Sequence, residues 1–279
     1  MEIKNVHITR ILNPTSIDLG EYVINPYKGC GYACLYCYVR FNKSVMKDHR
    51  EWGDYVDARI NAPELLEKEL KKKKPERVLL GSTTECFAPY ERKLKITSRI
   101  LDILNENGVK YSILTRSPFV LDQIEKLKAG YCENIYFTVN SFDKKLKNEL
   151  EPKSPDFLER RKAIKILHEN KISVIPYFSP ILPGISHIED IFGEFKEIGR
   201  VEFEGLNFNL GNIDGIIKAV RKIYPQVAYL YEVMKKDKNV YDEEWGKIKK
   251  GVMRAAIKYK MNHDVYVHSH TGYFENKYL

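Results

Sequence analysis

Six runs rich in β-branched and aromatic residues alternate with amphipathic segments, and this alternation constrains the chain more than any other feature. The runs are residues 22–25, 78–84, 111–115, 134–140, 173–178 and 201–207. Between them, residues 63–73, 94–107, 119–128, 155–170 and 188–198 carry apolar positions at helical spacing. In the fourth, Ala163, Ile164, Ile166 and Leu167 form the stripe, and Ser154-Pro155 supplies a cap followed by Pro at the first helical position. Strands that alternate with helices pair in parallel through right-handed crossovers. Six repeats fall short of a full eight-fold closure. The expectation is an α/β fold, a partial (β/α)6 TIM-like barrel of parallel strands. Its core spans about residues 21–210, and a C-terminal helical extension of two helices and a short tail from Val265 covers 211–279. No internal repeat, low-complexity tract or linker interrupts it, so residues 1–279 read as a single domain. In such folds chemistry sits at the C-terminal ends of the strands.

Composition narrows the class further. Apolar residues make up 43% of the 279, enough for a core and too many for an intrinsically disordered chain. No window approaches the roughly 18 uninterrupted apolar residues of a membrane span. The opening MEIKNVHITR lacks the apolar stretch of a secretory signal, so the expected location is cytoplasmic. The formal charge of +8 favours anionic partners, nucleic acid among them. The one tight basic run, Lys71 to Lys74, ends a helical pattern where cations suit the dipole.

Five cysteines are present, and Cys30, Cys34 and Cys37 fall within eight residues of one Gly-rich stretch after the first strand. That is a ligand cluster rather than a disulfide framework. Three thiolates in one loop can wrap one face of a cubane iron–sulfur cluster and leave its fourth iron open. Gly29 and Gly31 let the backbone turn around the sulfurs. The competing readings are a zinc site, which needs a distant fourth ligand, and a redox pair at Cys34 and Cys37, which leaves Cys30 unexplained.

The C-x3-C-x2-C spacing, with Tyr36 before the last cysteine, resembles the signature of the radical S-adenosylmethionine (SAM) superfamily. Residues 25–40, 80–91, 113–121, 137–143, 150–152, 160 and 180–184 are similar to the branch that includes spore photoproduct lyase, often labelled DNA repair photolyase-like. The resemblance covers roughly residues 10 to 210 and implies a 4Fe–4S cluster on Cys30, Cys34 and Cys37 with SAM on the open iron. It implies reductive cleavage of SAM to a 5′-deoxyadenosyl radical that abstracts hydrogen from a substrate, with nucleic acid repair or modification as one such use. It also implies an electron donor such as flavodoxin or ferredoxin. The alternative is a non-catalytic iron–sulfur or zinc-binding protein.

By the same resemblance, Thr84 and Glu85 accept hydrogen bonds from the methionine ammonium, Glu85 standing where Asp is usual. Ser141 meets the ribose hydroxyls, Arg160 clamps the SAM carboxylate, and Tyr36 packs beside the adenine. The turn 180–184 closes over the adenine. Cys86 is either a hydrogen-atom donor or a small buried apolar residue, and the second reading is favoured because related sequences carry Pro there. Cys132 precedes the fourth strand and belongs at the opposite, structural end. With only those two cysteines left over, a second all-cysteine cluster is excluded within one chain. The stretch 41–62 is long enough to be a lid, and His268 and His270 near the end could reach a metal or substrate.

Overall fold

The computed structural model describes residues 1–140, 143–209, 212–270 and 274–275. Two compact units divide the chain: residues 1–33, 47–137 and 154–174 form one, and residues 34–46, 138–153 and 175–279 the other.

The first unit holds strands β1 (Tyr22–Ile24), β2 (Arg77–Leu80), β3 (Lys110–Thr115) and most of β4 (Cys132–Thr138). They pair in parallel, Ile24 opposite Leu80, Leu80 opposite Ile113 and Thr115 opposite Phe137. Helix Ala62–Lys73 buries Leu66 and Leu70, and helix Ile96–Glu106 buries Ile100, Leu101, Ile103 and Leu104. Helix Phe157–Glu169 opens at Asp156, not Ser154. The Asp156 amide donates to Glu159 Oε2 at 2.8 Å, the reciprocal half of a capping box that the Ser-Pro pair outshines in sequence.

Residues 41–62 are not an open lid. Tyr55–Arg59 is a strand between Glu2–Val6, which it pairs in parallel, and Tyr27–Gly29, antiparallel. Arg50 lies over the Tyr55 ring and donates to both Asp48 and Asp57 at 2.8 Å, which fixes the stretch between them.

The second unit holds most of β5 (Val174–Ile181), then β6 (Arg200–Gly205) and β7 (Asn262–His268), all parallel. The expected tail from Val265 is instead part of the strand β7. Its start, Asn262-His263-Asp264, is too polar to announce a strand, yet it pairs with Arg200, Val201 and Glu202. Three helices rather than two precede it: Ile213–Arg221, Pro225–Lys236 and Lys238–Tyr259. One face of these strands packs on helices. Phe203 lies 5.3 Å from Phe192 of helix Ile188–Phe195, and Gly205 leaves room for Trp245, which a Cβ would meet at 2.7 Å. The strand β5 runs through Pro180 and Ile181, so the turn expected at 180–184 tightens only after Leu182, whose carbonyl accepts from Ile185 and Ser186.

Candidate active site

The cysteine-bearing stretch begins where β1 ends. Asn25, buried there, accepts from the Thr83 amide at 2.9 Å and donates to Ser82 at 3.1 Å, joining the ends of β1 and β2. Gly29 has φ +85°, and a Cβ would meet the Tyr55 carbonyl at 2.5 Å, so only glycine serves. The Thr84 hydroxyl donates to the Gly29 carbonyl at 2.6 Å. Tyr32, two residues past Cys30, donates to Ser117 Oγ at 2.9 Å, and Ser117 donates onward to the Phe87 carbonyl at 2.5 Å. The turn around Cys30 is thus tied to the residues that follow β2 and β3. That is the C-terminal end of the strands.

Glu85 is buried at the centre of this arrangement, 5% exposed. Its Oε1 accepts from the Phe87 amide at 3.0 Å and Thr115 Oγ1 at 2.6 Å, and its Oε2 from the Arg116 amide at 3.0 Å. Burial outweighs these donors and lifts its pKa above the ordinary carboxylate range. Both Thr84 and Glu85 therefore have internal partners, a role the sequence does not display. Arg160 is also buried, 1% exposed, with Nε donating to the Pro155 carbonyl at 2.9 Å. Its charge reaches the Tyr32 hydroxyl, whose pKa burial and Glu85 raise and Arg160 lowers. Glu85, Arg160 and Cys30 are brought together around Tyr32.

Cys86 is fully buried, and burial, with Glu85 and Glu91 nearby, holds its thiol well above its usual pKa. Cys132 pairs with Tyr111 at the start of β3 and β4, the far end of the strands, and burial pushes its thiol up to about 12.

In the second unit the Leu35 amide donates to the Leu150 carbonyl at 2.8 Å, and the Cys37 amide to the Cys34 carbonyl at 3.3 Å. Tyr36 donates to Glu151, which also accepts from Asn140 Nδ2 at 2.8 Å; the same nitrogen reaches the Ser179 carbonyl at 2.8 Å. Tyr36 is so anchored to the ends of β4 and β5 by its hydroxyl, with the ring half-buried. Ser141, the expected ribose contact, lies outside the described residues.

Around Glu204 lies a further group, of which the sequence displays only His268. Glu204 Oε2 accepts from Tyr177 at 2.9 Å and Ser179 at 2.7 Å, and Oε1 lies 3.2 Å from His268 Nε2. His268 Nδ1 lies 3.2 Å from Asn207 Nδ2, so Asn207 donating there leaves Nε2–H for Glu204. Tyr177, Ser179, Glu204 and His268 alternate with the helix-facing Phe178 and Phe203, so they line the opposite face of the strands. His270 lies apart from this group, its Nε2 3.3 Å from the Met234 carbonyl.

A profile of the radical SAM superfamily matches residues 24–193, more than half of the chain. The chain belongs to the radical SAM superfamily. Over 208 residues it is 35% identical to an uncharacterized protein of Methanocaldococcus jannaschii, covering 74% of this chain and 78% of that one. An uncharacterized protein of Mycobacterium tuberculosis is 23% identical over 191 residues, 64% of this chain and 56% of its own. Among solved structures, a spore photoproduct lyase variant superposes with TM-score 0.68 at 15% identity, over 95% of this chain and 82% of that one. Streptococcus suis SuiB bound to the precursor peptide SuiA gives 0.54 at 16%, over 88% and 48%. At such identities the likeness carries the fold, and it bears out the partial-barrel α/β expectation. No helix among the described residues is long and apolar enough to cross a membrane.

Proposed function

We propose that this radical SAM protein holds a 4Fe–4S cluster on Cys30, Cys34 and Cys37, binds SAM beside it, and cleaves SAM reductively to abstract hydrogen from a polar substrate. The observation that carries the reading is the hydrogen-bonded tie of the Cys30 turn to the ends of β2 and β3, through Thr84 to Gly29 and Tyr32 to Ser117. The donor set fits a cubane. Three thiolates close together in sequence can each meet a separate iron of one cubane.

The cluster and SAM together supply carbon–sulfur cleavage and hydrogen abstraction; the chain binds, orients and keeps out water. Thr84 holds the turn before Cys30. Glu85 braces the residues after β2 and β3 rather than receiving the methionine ammonium. Arg160, a buried guanidinium, receives the SAM carboxylate. Tyr36, fixed at its hydroxyl, offers its ring to the adenine, and Ser141 meets the ribose. Cys86, buried and held as a thiol, is structural. Tyr177, Ser179, Glu204 and His268 present a hydrogen-bonding wall to the substrate. Nucleic acid is the favoured class, supported by the net +8 and by the fold shared with spore photoproduct lyase, solved with AdoMet and a dinucleoside spore photoproduct.

The test is anaerobic reconstitution. About four irons per chain should bind, and SAM should alter the EPR signal of the reduced protein. A colourless, air-stable protein with one zinc per chain would overturn the reading in favour of a structural metal.

A further inference from the structure

A bound 4Fe–4S cluster must receive its electron from outside, and the segment leaving Cys37 presents a surface suited to the donor. Residues Tyr38–Phe41 form a 3-10 turn and Lys43–Met46 a helical turn. Val39 and Val45 anchor them inward, at 4% and 9% exposure. Phe41 and Met46, both large and apolar, stand outward at 41% and 66%. The backbone is fixed, with Val45 and Met46 amides donating to the Asn42 carbonyl at 2.8 and 2.9 Å. Tyr38 is exposed as well, at 46%.

Charge complements the apolar pair. Arg40 and Lys43 flank Phe41, and no Asp or Glu occurs anywhere from Cys34 to Met46. Four residues of extended chain span at most about 14 Å, so Phe41 stands within that distance of Cys37. A small apolar spot with two cations beside it in sequence fits a weak, charge-steered encounter, and electron-transfer contacts lie at the small end of interface sizes. A surface that tracks a polynucleotide needs more, since each neutralised phosphate takes a cation of its own.

We propose that Arg40, Phe41, Lys43 and Met46 dock an acidic one-electron carrier of the flavodoxin or ferredoxin kind. The proposal rests on the cluster reading given above. In the transfer a flavin hydroquinone becomes the semiquinone, its one electron enters the oxidised cluster, and no bond of the chain forms or breaks.

The experiment compares flavodoxin hydroquinone with sodium dithionite as reductants of the cluster-loaded chain, and measures flavodoxin affinity by calorimetry. The double variant Lys43→Glu, Met46→Ser should lower the second-order rate with flavodoxin at least about tenfold and weaken binding to match. Its rate with dithionite should stay unchanged, and Lys43→Arg should behave as the parent chain. An unchanged flavodoxin rate overturns the proposal, as does an equal loss with dithionite, which marks general damage. Loss of single-stranded DNA binding with the flavodoxin rate intact overturns it in favour of a nucleic-acid surface. Failure of the parent chain to take up about four irons on reconstitution means that the cluster reading itself is wrong.

Discussion

Glu85→Gln separates a brace from a ligand. Three protein donors converge on the carboxylate: the Phe87 amide and Thr115 hydroxyl at Oε1, and the Arg116 amide at Oε2. A glutamine has one acceptor oxygen to offer. If that oxygen faces Arg116, the amide nitrogen confronts the Phe87 N–H; if it faces Phe87, it confronts the Arg116 N–H. The Thr115 hydroxyl can rotate to accept, but neither backbone N–H can. One buried donor is stranded either way, at about 1–3 kcal/mol, and the remaining bonds lose their charge assistance. Relief of the burial cost offsets part of this. The net expectation is roughly 1–3 kcal/mol of destabilisation, a fall of about 2–5 °C in melting temperature for a chain of this size.

The pH dependence supplies a second readout. The pKa of Glu85 is raised by burial, so the folded chain holds this proton more tightly than the unfolded one. Its contribution to stability is therefore present below the ordinary carboxylate pKa and lost as pH rises through the elevated one. Glutamine lacks that slope. Thermal melts of the anaerobic protein across this range, with hydrogen exchange at Phe87 and Arg116, measure both effects. A variant with parent-like melting and exchange but much weaker SAM binding would refute the brace and restore Glu85 as the ammonium acceptor.

Replacing Cys30, Cys34 or Cys37 by Ala should abolish iron–sulfur absorption and SAM cleavage, whereas Cys132→Ala should leave both intact; iron and sulfide analysis with product detection decides. Arg160→Met should raise the SAM dissociation constant about 10- to 150-fold, the loss of one charge-assisted bond, without changing iron content in titrations run side by side. Glu204→Gln should flatten the acid side of the melting profile. The parent's Glu204 has a lowered pKa, so its stabilisation is present above the unfolded value and lost as pH falls through the folded one.

Much of the first six strands was legible because β-branched and aromatic residues crowd them, as in Arg77–Leu80 and Lys110–Thr115. The seventh hid behind Asn262-His263-Asp264, whose pairing with β6 compensates for polar side chains that suggest a tail. Strand Tyr55–Arg59 hid because its partners, Glu2–Val6 and Tyr27–Gly29, lie far off in sequence. The cysteine spacing is local and could be read directly. The Glu204 group could not: Tyr177 and Ser179 lie 27 and 25 residues away from it, and nothing at any of these positions alone distinguishes a site from an ordinary strand.

The two buried carboxylates show why residue type at a strand end does not assign a role. Glu85 follows β2 and Glu204 is the penultimate residue of β6, and each accepts three hydrogen bonds. Yet burial lifts Glu85, while at Glu204 burial is outweighed by His268, Ser179 and Tyr177, which hold it low. The difference lies in the donors. Glu85 receives two backbone amides and one hydroxyl, none of which can carry charge. Glu204 receives an imidazole that can, and its side chain keeps 23% exposure where that of His268 keeps 5%. A carboxylate closed in by fixed neutral donors serves the scaffold. One kept ionised, part exposed and backed by a titratable ring can take up a donor group from outside, so Glu204 rather than Glu85 is the carboxylate to expect against a substrate.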